Sequence, residues 1–319
     1  SSIISVLTAS DVTAARERIA SLVHRTPTLR STSLGEMLGG IELHLKAELF
    51  QRTGSFKPRG VANKLLSLSD EEKARGFVTI SRGNHAQALA YAATAIGTHA
   101  TIVMAADAVP SKVKATRDYG GDVVLTDGDI WQLSQRLMEE RQLTLVHPFD
   151  DDAVMAGQGT VGLELLEDLP GVQTVIVPIG GGGLIAGIAV AVKDALPRAR
   201  LIGVEAEASD AMVQALAAGR SVEIGNRKTV ADGINTPHAG ERCLEVVERY
   251  VDEVVTVSEE EILAGLRLLI ERSKLAAEPA AATPIAALLA GRVRTRPGER
   301  VACVVSGGNL DLDTLKAVL

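Results

Sequence analysis

Four short stretches hold residues whose types and spacing could do chemistry. The first is GSFKPRG at residues 54–60, where Lys57 stands between an aromatic residue and a proline. Proline disfavours the α region for the residue before it and itself suits the first turn of a helix. The spacing therefore predicts Lys57 at a strand-to-helix junction, just outside a helix that starts at Pro58, beside the positive end of its dipole. An amine shielded from water there has a lowered pKa and can act as a nucleophile. Isolated lysines are mostly solvated surface groups, so Lys57 gains this meaning only from its company.

The second stretch is IGGGGLIAGIA at residues 179–189, after an apolar run and before a helical pattern. Four glycines let backbone N–H groups turn around an anion at a helix N-terminus. Few turns need four glycines for sterics alone, so a phosphate cradle at Gly180, Gly181, Gly182 and Gly183 is expected. The same run holds Gly181-x-Gly183-x-x-x-Gly187, and Glu205 ends the next strand about 20 residues on, a spacing that leaves a dinucleotide site open.

The third set is a pair of polar strand ends. In SRGNHAQ, residues 81–87, the N–H groups around Ser81, Gly83 and Asn84 could hold a carboxylate at a helix start; plain N-capping by Ser81 or Asn84 is the alternative. In VACVVSGGNLD, residues 301–311, Ser306 ends a buried strand at a Gly-Gly turn, on the carboxyl edge of a sheet where ligands bind. Three strand ends are thus expected to converge.

The elements that must position them read as alternating strands and helices. Strands are predicted at 41–47, 77–80, 101–104, 122–125, 143–146, 174–178, 200–205, 251–257 and 301–305. Helices are predicted at 11–24, 58–68, 84–96, 130–141, 152–168, 183–195, 259–274 and 279–289, with Ser10-Asp11 and Ser258…Glu261 as start signals. This order predicts an α/β protein with open parallel sheets covered by helices on both faces. A small lobe is placed at 70–148, flanked by the two parts of a larger one, 1–69 and 149–319.

Composition narrows the partners. The chain has 319 residues, 46% hydrophobic and 23% charged, within the globular range. Its net charge is -7, with no basic run and 3% aromatics, which argues against nucleic acid and for a small ligand. Cys243 and Cys303 lack metal-ligand spacing and read as buried reduced thiols, as suits the cytoplasm. No secretory signal is visible, and the uncharged residues 175–192 hold Pro178 and the glycine run, so they read as strand, loop and helix, not a membrane span.

Taken together, GSFKPRG, SRGNH, GGGGL, Ala231-Asp232-Gly233, Glu278-Pro279 and the terminal SGGN occur in the order and rough spacing of the serine/threonine dehydratase and serine racemase family. The chain resembles that family from about residue 10 to its end. The resemblance implies a two-lobed pyridoxal 5′-phosphate enzyme of the tryptophan-synthase-β fold type (fold type II), most often a homodimer. Lys57 would carry the cofactor, Phe56 would lie against its ring, and Gly180 to Gly183 with Leu184 would hold its phosphate. Asn84 would bond the phenolic oxygen, Ser306 the pyridine nitrogen, and Gly233 and Glu278 would line the ring edge. Ser81, Arg82, Gly83, Asn84 and His85 would take the substrate carboxylate. The implied reaction is β-elimination from L-serine, L-threonine or a related β-hydroxy amino acid, giving a 2-oxo acid and ammonia. A serine at the pyridine nitrogen favours elimination over transamination.

The chain departs from the family at three places. Arg82 stands where relatives carry serine or threonine, the acid/base of the racemases; a guanidinium does not cycle a proton, which weighs against racemisation. It could instead fork a second carboxylate, as in 3-hydroxyaspartate, or turn outward to pair with an acid. Pro58 follows the lysine where relatives often have Ile, Leu or Asp. Of the family's divalent cation site, Glu205 and Ser209 match, but residue 211 is alanine with Asp210 one step early, so Mg or Mn binding is doubtful and Glu205 reads as a solvated group. Feedback control by a fused regulatory module is not expected. Readings of other classes are a nicotinamide-dependent oxidoreductase using the glycine run and a catalytically silent ligand-binding relative.

Overall fold

The computed structural model describes residues 6–319; the start of the chain, from which the larger lobe was to be counted, lies outside the described residues. The strands are β1 (Thr28–Arg30), β2 (Glu42–Ala47), β3 (Phe77–Ile80), β4 (Ala100–Ala105), β5 (Asp122–Thr126), β6 (Thr144–Leu145), β7 (Thr174–Pro178), β8 (Arg200–Ala206), β9 (Glu253–Val257) and β10 (Arg300–Val305). They form a six-stranded sheet ordered β1-β2-β10-β7-β8-β9 and a four-stranded sheet ordered β5-β4-β3-β6. All four strands of the smaller sheet fall between residues 70 and 148.

The parallel expectation holds except at one edge, where the unpredicted β1 runs antiparallel to β2. Three residues are too few to show a period, so nothing local marks β1 as a strand. The central strands read as apolar runs because helices cover both their faces: every residue of β7 is buried, as are the last five of β10. Val175 and Val177 enter one core cluster while Ile176 enters the cluster on the opposite face.

The Asp152–Asp168 helix is wedged between the Lys57–Leu66 helix and the Gly183–Ala195 helix. Glycine permits this approach: a Cβ at Gly157 would stand 2.3 Å from the Arg59 carbonyl oxygen, and one at Gly187 2.1 Å from that of Met155. The lysine and the glycine run are thereby packed against one common helix.

Several boundaries shift. The first helix is Ala9–Ile19, capped by Thr8 in a reciprocal box with Asp11, so Ser10 lies inside it. The stretch 279–289 divides into a 3-10 turn, Pro279–Ala282, and the Thr283–Leu289 helix, because Pro284 has no N–H to continue one ladder. The Ser258 and Glu261 capping box is present. Unpredicted helices include Thr32–Met37, Asp70–Arg75, Pro110–Asp118, Ala211–Ala218 and Glu241–Tyr250. Among the described residues no helix is long and apolar enough to cross a membrane, and both cysteines are buried and free.

Candidate active site

The three strand ends do converge, but across both sheets. The carboxyl ends of β7 and β10 are neighbours in the larger sheet, that of β3 belongs to the smaller, and the residues after all three line one cavity of about 510 Å³. Its walls include Phe56, Lys57, the loop from Ser81 to His85, the run from Gly180 to Leu184, Gly233, Glu278 and Ser306. Every cofactor and substrate residue expected from the sequence is therefore present; Glu205 and Ser209 lie outside it.

Lys57 opens the Lys57–Leu66 helix instead of standing outside it, with Phe56 in αR at the N-cap. No strand leads into it; two 3-10 turns, Glu48–Phe50 and Arg52–Gly54, do so. Tertiary anchoring overrides the local bias of Pro58: Phe56 N donates to the Ser306 carbonyl at 3.1 Å, and Ser55 bridges Gly307. Ser306 itself is buried. Lys57 Nζ donates to the Pro148 carbonyl at 3.0 Å. Burial pulls its pKa down to about 8, with Cys243 and Glu278 pulling the other way.

The glycine run carries a correction. Close packing alone requires glycine at most of its positions: a Cβ on Gly181 would stand 2.2 Å from the Phe149 ring, one on Gly180 3.1 Å from Ile234 Cα, and Gly182 has φ +106°. The anion site therefore rests on the backbone donors, not on the number of glycines. Ala186 makes the first intrahelical bond, to Gly182, and no acceptor among the described residues engages the N–H groups of Gly180 to Leu184. Unengaged N–H groups at a helix N-terminus fit a phosphate, and an amine of lowered pKa in the same cavity fits an aldehyde. The residues present thus suit pyridoxal phosphate.

The N-cap is Gly83, neither Ser81 nor Asn84, although Ser81 Oγ reaches the same helix start, accepting from Gly83 N at 3.3 Å and Ala86 N at 3.2 Å. Asn84 and His85 form the first turn of the Asn84–Ala95 helix, which begins where the sequence placed it. His85 is buried, Nε2 lies 2.9 Å from the Val146 carbonyl, and Nδ1 has no partner among the described residues. Burial, assisted by the charge of Lys57, pushes its pKa down to about 3, so the ring is neutral.

Asn84 is turned towards Glu278, donating from Nδ2 to the carboxylate at 3.0 and 3.2 Å, and its Oδ1 accepts from Asn309 Nδ2 at 2.7 Å. Asn309 also donates its backbone N–H to Glu278 at 3.0 Å and its side-chain amide to the Thr53 carbonyl at 2.7 Å. Burial raises Glu278 to about 7 in spite of these bonds. Gly233 is required because a Cβ there would stand 2.6 Å from Glu278 Oε1. Asn309 was the last residue of the SGGN motif, and its polar amide after the Gly-Gly turn was the available signal.

Arg82 turns to an acid, Nη2 donating to Asp232 Oδ1 at 3.2 Å, and Lys112 Nζ donates to Asp232 Oδ2 at 3.0 Å. Glu205 is not solvated: it is buried, and its two oxygens accept from Met212 N and Val213 N, each at 2.9 Å, at the start of the Ala211–Ala218 helix. Burial lifts its pKa to about 8, against those two bonds. Ser209 Oγ is 3.5 Å from the Thr236 carbonyl and Asp210 faces Gln214; no cluster of three His, Cys, Asp or Glu among the described residues could hold a metal. The dinucleotide reading loses both supports, since Glu205 is a helix cap and Gly187 a packing glycine.

The pyridoxal-phosphate dependent enzyme family matches residues 19–307. The L-threonine ammonia-lyase of Thermotoga maritima is 43% identical, over 98% of this chain and 78% of its own length. That of Geobacter sulfurreducens is 45% identical, over 96% and 76% respectively. The solved structure of maize serine racemase superposes with a TM-score of 0.93 at 38% identity, covering 98% of this chain and 97% of that one.

Proposed function

The chain belongs to the pyridoxal-phosphate dependent enzymes, and on that premise we propose that it is a dehydratase releasing a 2-oxo acid and ammonia from L-threonine and L-serine, with Lys57 as its catalytic residue. The observation that carries the site assignment is the meeting, in one cavity, of the Lys57 amine with the unengaged N–H groups of Gly180 to Leu184. When bound, pyridoxal phosphate supplies a conjugated sink for the electron pair left on the substrate Cα.

The remaining work falls to the chain's own groups. The N–H donors at the start of the Gly183–Ala195 helix hold the phosphate. The Lys57 amine, its pKa pulled down to about 8 by burial, takes the Cα proton in its uncharged form, and the Pro148 carbonyl at 3.0 Å orients it. The neutral His85 does not compete as an acid, and the Asn84, Glu278 and Asn309 network fixes one wall beside Gly233 and Ser306. Backbone donors of the loop from Ser81 to His85 take the substrate carboxylate. A guanidinium at position 82, in place of a hydroxyl, offers no group there that readily passes a proton to the opposite face of Cα, which favours elimination over racemisation.

The same reading takes 70–148 as a small lobe that brings this loop to the larger one, and the chain as a cytoplasmic homodimer. Two free buried thiols suit a reducing compartment, and twofold pairing is the commonest assembly. The direct test is release of 2-oxo acid from L-threonine and L-serine. Formation of D-serine with no 2-oxo acid would make the protein a racemase instead.

The Lys57 pKa gives a further expectation. Capture of pyridoxal phosphate by the apoprotein needs the neutral amine, so with a pKa of about 8 the capture rate climbs as pH rises towards 8 and levels off above it. An ordinary lysine would continue to climb to about pH 10. Stopped-flow absorbance across pH 6 to 10 distinguishes the two profiles.

A further inference from the structure

Asp232 joins two cations across the mouth of the cavity. Arg82 follows β3 of the smaller sheet and Lys112 lies in the Pro110–Asp118 helix packed beside that sheet. Asp232 opens the Asp232–Ile234 turn, which packs against the Pro279–Ala282 turn on the other side. All three residues line the cavity. Each carboxylate oxygen of Asp232 serves one cation, Oδ1 taking Arg82 at 3.2 Å and Oδ2 taking Lys112 at 3.0 Å. A protein carboxylate thus fills the position between two cations that a second carboxylate on a substrate would seek.

We infer that Asp232 determines substrate specificity: it occupies Arg82 and Lys112 and so reserves the site for β-hydroxy amino acids with an uncharged side chain, excluding those with an anionic one. Two effects act together. The cationic donors are already satisfied, so an incoming carboxylate gains little from them. The charge of Asp232 also repels a second anion, and discrimination is achieved by repulsion as well as attraction. Without Asp232 the three-residue group changes from a formal +1 to +2, since two cations then face no acid. The Arg82 pair is solvated and the Lys112 pair partly so, so they contribute little to stability and the fold survives their loss.

This inference rests on the dehydratase reading, and its test separates the two. In the holoenzyme, kcat/KM for 3-hydroxyaspartate relative to L-serine is measured for the wild type, Asp232→Asn, and Asp232→Asn combined with Arg82→Gln. The ratio is expected to rise about tenfold or more in the single variant, as one freed guanidinium meets a carboxylate, and to fall back in the double variant. An unchanged ratio in Asp232→Asn, or a gain that the loss of Arg82 does not reduce at all, would overturn it. Binding of malate against lactate to the same proteins reads the preference without turnover. If the wild type releases no 2-oxo acid from any β-hydroxy amino acid, the dehydratase reading fails. The malate-to-lactate ratio then still decides on Asp232: a rise in Asp232→Asn supports it, and no change refutes it.

Discussion

Lys57→Ala should lower 2-oxo acid release by at least about 10³-fold while leaving the protein folded. A positioned general base contributes roughly 10²–10⁴-fold, and here the same amine also tethers the cofactor, so the loss lies at the upper end of that range. A 10³-fold loss corresponds to about 4 kcal/mol of activation free energy. Stability should change little, because among the described residues the one hydrogen bond from this side chain runs to the Pro148 carbonyl, and one such bond contributes about 1 kcal/mol. The N–H groups of Gly180 to Leu184 do not depend on Lys57, so the variant should still bind pyridoxal phosphate reversibly. Turnover assays, thermal melting and equilibrium dialysis of the cofactor check these three expectations. Substantial activity in Lys57→Ala would remove Lys57 from the chemistry. A collapsed melting temperature would make its role structural.

The second large effect belongs to Arg59, two positions further along the same helix. It is completely buried and pairs with two carboxylates, Glu48 at 2.6 and 2.9 Å and Glu164 at 2.6 and 2.9 Å. Lys46 adds a second buried cation on Glu164 at 2.9 Å. Two cations therefore balance two anions in the interior, joining β2, the turn after it, the lysine helix and the Asp152–Asp168 helix. Burial on its own would raise the Glu164 pKa; the hydrogen bonds and charges of Arg59 and Lys46 hold it below the usual carboxylate range. Arg59→Met leaves one buried negative charge uncompensated, which costs about 3–5 kcal/mol and a fall in melting temperature of about 5–15 °C.

The pH dependence of that deficit has a definite sign. In the wild type the depressed Glu164 contributes stability above its unfolded pKa, and this is lost as pH falls through the folded value. In Arg59→Met the orphaned carboxylate has a raised pKa instead, so its penalty is present at neutral pH and relieved as the group protonates in acid. The gap between wild type and variant should narrow from pH 7 towards pH 5. A constant gap, or a loss below about 1 kcal/mol, would show that the cluster is not an essential tie. Arg59→Lys, which keeps the charge but not the two-pronged geometry, should lie between them.

What was legible in the sequence is what local chemistry writes there. The glycine run, the strand ends at Ile80 and Pro178, Ser306 after the last strand, and Lys57 beside a proline are all determined within a few residues, and all reach the cavity. Groups joined over long separations were not legible. Asn84 and Glu278 are 194 positions apart, Asn84 and Asn309 225, and Arg82 and Asp232 150. No local pattern specifies such pairs. Arg59 lay inside a quoted motif, yet an arginine is expected at the surface. The signal was on its partner: Glu164 falls in an otherwise apolar part of a long helix, where an acid needs a buried cation. Glu205 failed as a ribose or metal ligand for the same reason, since only the folded chain brings the backbone of Met212 and Val213 to its carboxylate.

The assignment of Lys57 is tested most directly by borohydride reduction of the holoprotein, followed by proteolysis and mass spectrometry of every lysine peptide. One pyridoxyl group per chain, on the peptide that contains Lys57 and nowhere else, is the expected result. A label on another lysine, or a cofactor that washes away unreduced from a folded, active protein, would contradict the account.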